Sequence, residues 1–283
     1  MKNILIITGL FFALSGCISQ KVSEKEVFNP IKEYELTADY TFNRNMLQKN
    51  DSTDIETWYL TMPGAKFNLI YFSGNGSNIR SAIPFFNSLA KQTKLNIYSF
   101  NYSGYGLSTG TPSINGIIDD ANLAIQYFSQ IKNSSVPTIL MGYSLGGYVA
   151  LQMANSDQID KIVLLSTFTS AEELEVYLKK EALPKIIKPF LKLDIDKKVY
   201  ALNNIASITE LAKPILILHG SNDDFIPTSM GKKLYELSQS KYKYFKEIPE
   251  ADHRTVLKDD DKSGVVATEI IRFNALPELS DKK

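Results

Sequence analysis

Cysteine occurs once, tryptophan once and histidine twice in 283 residues. A single cysteine excludes an intrachain disulfide, and with only two histidines no Cys/His zinc site of the usual spacings can be assembled. Excess charge is also missing. Lysine plus arginine and aspartate plus glutamate both number 31, so the formal net charge is zero. Without a basic surplus to displace counterions from phosphates, nucleic acid is excluded as the main partner. The apolar run Ile4–Leu14 is too short to span a bilayer as a helix, which takes about 20 residues. What is present, 44% hydrophobic and 22% charged residues, is the composition of one globular domain with a sizeable core.

The first twenty residues carry their own signal. Lys2 supplies a short positive region, Ile4–Leu14 an apolar stretch of signal-peptide length, and Leu14-Ser15-Gly16-Cys17 ends it. This resembles the lipobox of bacterial lipoproteins, which implies removal of residues 1–16, acylation of Cys17 and a membrane contact made through lipid. The expected location is the cell envelope, on the outer membrane if the host is Gram-negative, because Ile18 stands where a plasma-membrane retention aspartate would sit. An ordinary secretory signal with Cys17 incidental is the alternative. Residues 17–30 are polar and aperiodic and are expected to form a lipidated tether, holding the domain on the order of 20 Å from the bilayer.

Residues 31–276 form the predicted folded domain and 277–283 a polar tail. Glu35–Phe42 and Ile55–Met62 alternate apolar with polar residues, predicting two antiparallel edge strands separated by NRNMLQKNDST. Phe67–Phe72, Leu95–Asn101, Thr138–Met141, Lys161–Ser166, Pro214–His219 and Tyr242–Ile248 predict strands, with helices over Ile79–Gln92, from Pro112 through Phe128, from Leu145 through Met153, and over Thr228–Leu237 and Val265–Phe273. Asp119 and Asp120 lie in early helical turns, where the macrodipole favours carboxylates, and are expected to be structural. Residues 167–213 break the alternation and predict a helical insertion over one end of the sheet. Strands alternating with helices predict a mostly parallel sheet covered on both faces, with ligands bound beyond the C-terminal strand ends.

At those ends lie the residues with chemistry. Gly142-Tyr143-Ser144-Leu145-Gly146 stands between a strand and a helix, so Ser144 occupies a sharp turn whose flanking glycines permit close packing. The plain reading of Ser144 is a helix cap. A hydroxyl of ordinary acidity needs a base, and the base needs a carboxylate to fix its tautomer. Asp223 and His253 follow in chain order, each in a strand-exit loop. Asp224 and Asp252 are competing acids. His219 is the competing base, but it precedes the acid at the buried end of a strand, where a satisfied core histidine is expected. The glycine pair in Ser73-Gly74-Asn75-Gly76 lacks the lysine and spacing of a phosphate loop, and it predicts backbone N–H groups facing the serine.

From about Tyr59 to Phe273 the chain resembles the α/β-hydrolase superfamily, in particular its short-lidded esterases and thioesterases, among them membrane-associated depalmitoylases. FSGNGSN, NYSGYGLSTGTP, GYSLGG, ILHGSNDDFIP and the late ADH carry the likeness. The resemblance implies the α/β-hydrolase fold with a short helical lid, a nucleophile at Ser144, an acid at Asp223 and a base at His253. It further implies oxyanion donors on the N–H groups of Asn75 and Leu145, and no metal or organic cofactor. Ser73 departs from that branch, which has histidine there. The expected substrate is an acyl-chain or other small-molecule ester or thioester, with Phe72, Tyr102, Tyr105, Tyr143 and Phe168 expected near the site. An amidase or peptidase of the same fold, and a non-catalytic surface lipoprotein that keeps the fold for binding, are the alternative functions.

Overall fold

The computed structural model describes residues 18–32, 42–182 and 191–276. Among the described residues the first elements are β1 (Ile18–Val22), the single-turn α1 (Glu24–Val27), β2 (Asn43–Asn50), β3 (Thr53–Leu60) and β4 (Asn68–Phe72). Alternation follows: α2 (Ile83–Gln92), β5 (Asn96–Phe100), α3 (Ile114–Ile131), β6 (Thr138–Tyr143), α4 (Leu145–Met153) and β7 (Lys161–Leu165). The remainder is α5 (Ala171–Tyr177), β8 (Leu191–Ile195), α6 (Ile205–Glu210), β9 (Ile215–Gly220), α7 (Thr228–Leu237), β10 (Lys243–Ile248), α8 (Thr255–Lys258) and α9 (Asp260–Ala275).

Among the described residues the main sheet has the order β10-β9-β7-β6-β4-β5-β3-β2. It is parallel from β10 to β5, and β3 and β2 add an antiparallel edge. Because strand side chains alternate between faces, β4 sends Ile70 and Phe72 into one core and Leu69 and Tyr71 into the other. β9 divides Ile215 and Ile217 from Leu216 and Leu218 in the same way. Helices α3, α4, α6 and α7 cover the first face, and α2, α8 and α9 the second. Burial on both faces explains why these strands read as continuous apolar runs.

Three expectations differ from the structure, and a fourth falls on residues that it does not describe. The polar stretch 43–50, expected as a connection, is β2 itself, turning at Asp51-Ser52 into β3. An edge strand with mostly exposed side chains needs no apolar face, so alternation could not reveal it. The strand expected over 35–42 lies outside the described residues apart from Phe42, which packs its ring 5.3 Å from Trp58. The insertion is not wholly helical: β8 within it pairs in parallel with β1.

The third difference concerns the stretch expected as a tether. Val22 to Lys32 is bound to the domain by side chains: Glu24 Oε1 accepts the N–H of Ile114 at 2.6 Å at the start of α3, and Lys32 Nζ donates to Ser108 O at 2.8 Å. Phe28 is buried in the core. The stretch looks polar because its partners are polar groups of the domain, remote in sequence. Phe28→Ala should therefore undock it, accelerating trypsin cleavage after Lys25 and Lys32. The cost is bounded at about 3 kcal/mol, since a peripheral segment can release locally without unfolding the sheet. Equal cleavage rates in parent and variant would show that it is not docked.

Candidate active site

β6 ends at Tyr143 and α4 begins at Leu145, leaving Ser144 alone in the turn at φ 54°, ψ −118°. Such a conformation is strained for any residue with a Cβ and persists only when its surroundings hold it. Here Ser144 N–H donates to Leu165 O at 2.9 Å, and Thr167 Oγ1 donates to Ser144 O at 2.7 Å. Close packing does the rest. A Cβ on Gly142 would lie 2.2 Å from Gly146 O, and one on Gly146 would lie 2.2 Å from Phe72 O, so both flanking glycines are required by contact with backbone. Gly147 is equally constrained, with Thr167 Oγ1 2.4 Å from where its Cβ would be.

The acid and base loops meet this turn from the neighbouring strands β9 and β10. His253 Nε2 lies 3.1 Å from Ser144 Oγ, and His253 Nδ1 lies 2.8 Å from Asp223 Oδ2. A carboxylate only accepts, so the ring proton is on Nδ1 and Nε2 offers its lone pair to the serine hydroxyl. The two loops are stitched together by Ser221 N–H to Ile248 O (3.0 Å), Asn222 N–H to Ala251 O (2.9 Å) and Glu250 N–H to Ser221 Oγ (2.8 Å). Tyr143 stacks on the His253 ring, centroids 5.2 Å apart, and its hydroxyl donates to His253 O. Burial, joined by the nearby Asp223 charge, pushes the Tyr143 hydroxyl up and keeps it a donor.

Asp223 is buried, with Oδ1 accepting the N–H groups of Phe225 at 3.1 Å and Ile226 at 2.8 Å. Burial works to raise its carboxyl, but the donors from His219 and His253 and the Ile226 N–H overcome that and hold it below the ordinary range. The competing acids are engaged elsewhere. Asp252 accepts the N–H groups of Arg254 and Thr255, both at 2.8 Å, and Asp224 is an exposed neighbour whose carbonyl accepts the Tyr177 hydroxyl at 3.4 Å. Asp120 is structural as expected, taking Lys49 Nζ at 2.6 Å and Ser103 N–H at 2.7 Å.

The loop after β4 passes directly over the serine: a Cβ on Gly74 would be 3.1 Å from Ser144 Cβ. Asn75 follows it. The Asn75 side chain is held on three sides, its Oδ1 accepting Asn29 N–H and Tyr105 Oη–H at 2.8 Å each while its Nδ2 donates to Val27 O. Burial pushes the Tyr105 hydroxyl up to about 12, which keeps it a donor. Leu145 is the first residue of α4, so its N–H belongs to the turn that has no intrahelical acceptor. Ser73, where the resembling branch has histidine, is buried, and its carbonyl accepts the Tyr102 hydroxyl at 3.2 Å.

The aromatic residues divide differently from expectation. Tyr143 faces the site, whereas Phe72, Tyr102 and Tyr105 are buried in the core with Phe100, and Phe168 is buried beside α6. Phe225, unnoticed in sequence, tilts against His253 at 5.2 Å with 46% of its surface exposed. An aromatic two residues beyond the candidate acid was the available signal. His219 also departs from expectation: its Nε2 lies 2.8 Å from Ile226 O and 3.5 Å from Asp223 Oδ2, and its Nδ1 is buried without a hydrogen-bond partner. Cys17 lies outside the described residues.

A hydroxyl on a strained turn, an imidazole with its lone pair on that hydroxyl, and a buried carboxylate behind the ring are the groups that proton removal and nucleophilic attack require. Comparison with known proteins agrees on the scaffold. The family model described as the alpha/beta hydrolase fold matches residues 68–183. The uncharacterized protein YfhR of Salmonella typhimurium is 32% identical over 222 residues, which are 72% of this chain and 71% of that protein. The alpha/beta hydrolase domain-containing protein WAV2 of Arabidopsis thaliana is 28% identical over 262 residues, 81% of this chain and 82% of that one. In three dimensions the Pyrococcus furiosus esterase Pf2001 superposes with a TM-score of 0.68 at 17% identity, covering 88% of this chain and 99% of its own. With the strand order, the serine turn and these similarities in agreement, the chain belongs to the α/β-hydrolase family.

Proposed function

We propose that the protein is a serine hydrolase of carboxylic esters or thioesters, held at a membrane through a lipidated Cys17. The observation that carries the chemistry is the hydrogen-bonded series Ser144 Oγ, His253, Asp223. Ser144 attacks the substrate carbonyl while His253 Nε2 takes its proton, and the N–H groups of Leu145 and Asn75 receive the oxyanion. His253 then returns the proton to the departing alcohol or thiol, leaving an acyl-serine that water, activated by the same histidine, hydrolyses. Asp223 stays ionised and stabilises the imidazolium. Phe225 and Tyr143 give the mouth an apolar rim that suits an acyl group, and the resemblance to depalmitoylases points to acyl thioesters as the class to test first.

The signal-like residues 1–16 and Leu14-Ser15-Gly16-Cys17 support the anchor. Since β1 begins at Ile18, acylated Cys17 would leave little slack, and the domain would sit directly on the bilayer surface.

A fluorophosphonate should label Ser144, and Ser144→Ala should abolish labelling in a folded protein; peptide mapping that finds the label on Ser73 or Ser166 would overturn the assignment. Asp223→Asn permits the wrong imidazole tautomer and should cost on the order of 10⁴ in kcat, whereas Asp224→Asn should cost far less. Because the Asp223 carboxyl is held low, it contributes stability above the ordinary aspartate value of about 3.9 and loses it as pH falls through its folded value. The melting difference between parent and Asp223→Asn should accordingly shrink in acid. Intact mass of the native protein should show a chain starting at acylated Cys17, and Cys17→Ala should block lipidation; a chain still starting at Met1 would refute the anchor.

A further inference from the structure

His219 is the penultimate residue of β9, fully buried, four residues before the acid. Its tautomer can be read from its neighbours. Ile226 O, 2.8 Å from Nε2, only accepts, so the ring proton is on Nε2 and Nδ1 carries a lone pair. The same Nε2–H also approaches Asp223 Oδ2 at 3.5 Å, the oxygen that receives His253 Nδ1–H. One N–H group thus faces both the carbonyl that closes the 223–226 turn and the carboxylate that the turn presents.

A histidine retained only to fill the core would have both nitrogens satisfied. Here Nδ1 has no hydrogen-bond partner and faces α7, where a Cβ on Gly231 would come within 2.5 Å of it. Leucine or phenylalanine would fill such a space without burying an orphan nitrogen. What an apolar residue could not supply is the donor on the other side of the ring.

We propose that His219 is a positioning residue of the triad: by donating to Ile226 O and facing Asp223 Oδ2, it fixes the carboxylate in the orientation that receives His253. The proposal rests on the triad reading above. Asp223 Oδ1 is held by the Phe225 and Ile226 N–H groups, so the turn alone sets one oxygen. Rotation about that anchor remains, and it would swing Oδ2 away from the His253 ring. His219 sits where it blocks this rotation and closes the turn from below.

The test compares the parent with His219→Leu, which fills the space but cannot donate, and His219→Gln, whose amide can donate from nearly the same place. Two readouts are recorded beside thermal melting. One is the downfield proton resonance of His253 Nδ1–H, identified by its loss in His253→Ala; the other is the rate of Ser144 labelling by a fluorophosphonate. In His219→Leu the resonance should broaden or move upfield and labelling should slow by about 10²-fold, the cost of misplacing a reacting group by about 1 Å. His219→Gln should recover most of both. An unchanged resonance and labelling rate in folded His219→Leu would overturn the proposal, as would a His219→Gln variant no better than a folded His219→Leu. If His219→Leu does not fold, His219→Gln decides alone: near-parental values support the proposal, and a folded variant with a lost resonance overturns it. Failure of the parent to label Ser144 would count against the triad reading, while the resonance would still report whether His219 orients the Asp223–His253 pair.

Discussion

The burial of one negative charge organises the end of the sheet that carries the candidate site. A carboxylate removed from water is costly unless donors surround it, and Asp223 meets that requirement with two backbone N–H groups and His253, with the His219 N–H nearby. Each donor constrains something else. The N–H groups of Phe225 and Ile226 shape the turn after β9, and His253 brings in the loop after β10. Through its Nε2 it also reaches Ser144 on the turn after β6. Satisfying the acid therefore assembles three loops that the sheet merely brings to one edge.

The serine turn is held by a different force, close contact. Gly142, Gly146 and Gly147 let α4 approach β6, β4 and the Thr167 side chain to distances that no Cβ would allow. The strain of a positive φ at Ser144 is offset by these contacts and by the bonds to Leu165 and Thr167. The bonds that hold Ser144 in its turn come from Leu165 and Thr167 and not from Asp223 or His253, so the placement of the serine and its pairing with the histidine have separate supports.

That separation explains what could be read from the sequence. The serine turn is local: strand pattern, glycines and helix pattern occupy one continuous stretch, and its geometry follows from turn chemistry. Asp223 and His253 are distant in sequence, but each leaves a strand in a chain whose alternation already predicted a parallel sheet, so their convergence followed from topology. Gly147 escaped notice because its partner, Thr167, lies on another strand exit. β2 escaped because an exposed edge requires no hydrophobic signature, and β8 because its pairing partner is at the opposite end of the chain. His219 was legible as buried but not as paired, since the 3.5 Å approach to Asp223 depends on how tightly the 223–226 turn closes.

The N-terminal stretch was the least legible part, and for a physical reason. Its polar residues looked solvated because polarity was judged against water, whereas their acceptors and donors are supplied by the domain: Asn75 and Tyr105 for the backbone of Val27 and Asn29, the Ile114 N–H for Glu24, and Ser108 O for Lys32. These bonds place the segment on both the loop over Ser144 and, through β1, the strand β8 of the insertion. The side chain of Asn75 is thereby fixed by residues 46 and 48 positions earlier, and its backbone cannot shift without breaking those bonds. A stretch expected only to connect the domain to a membrane therefore braces the loop that passes over the serine. Its contribution is rigidity, supplied by side-chain bonds that a sequence pattern cannot display.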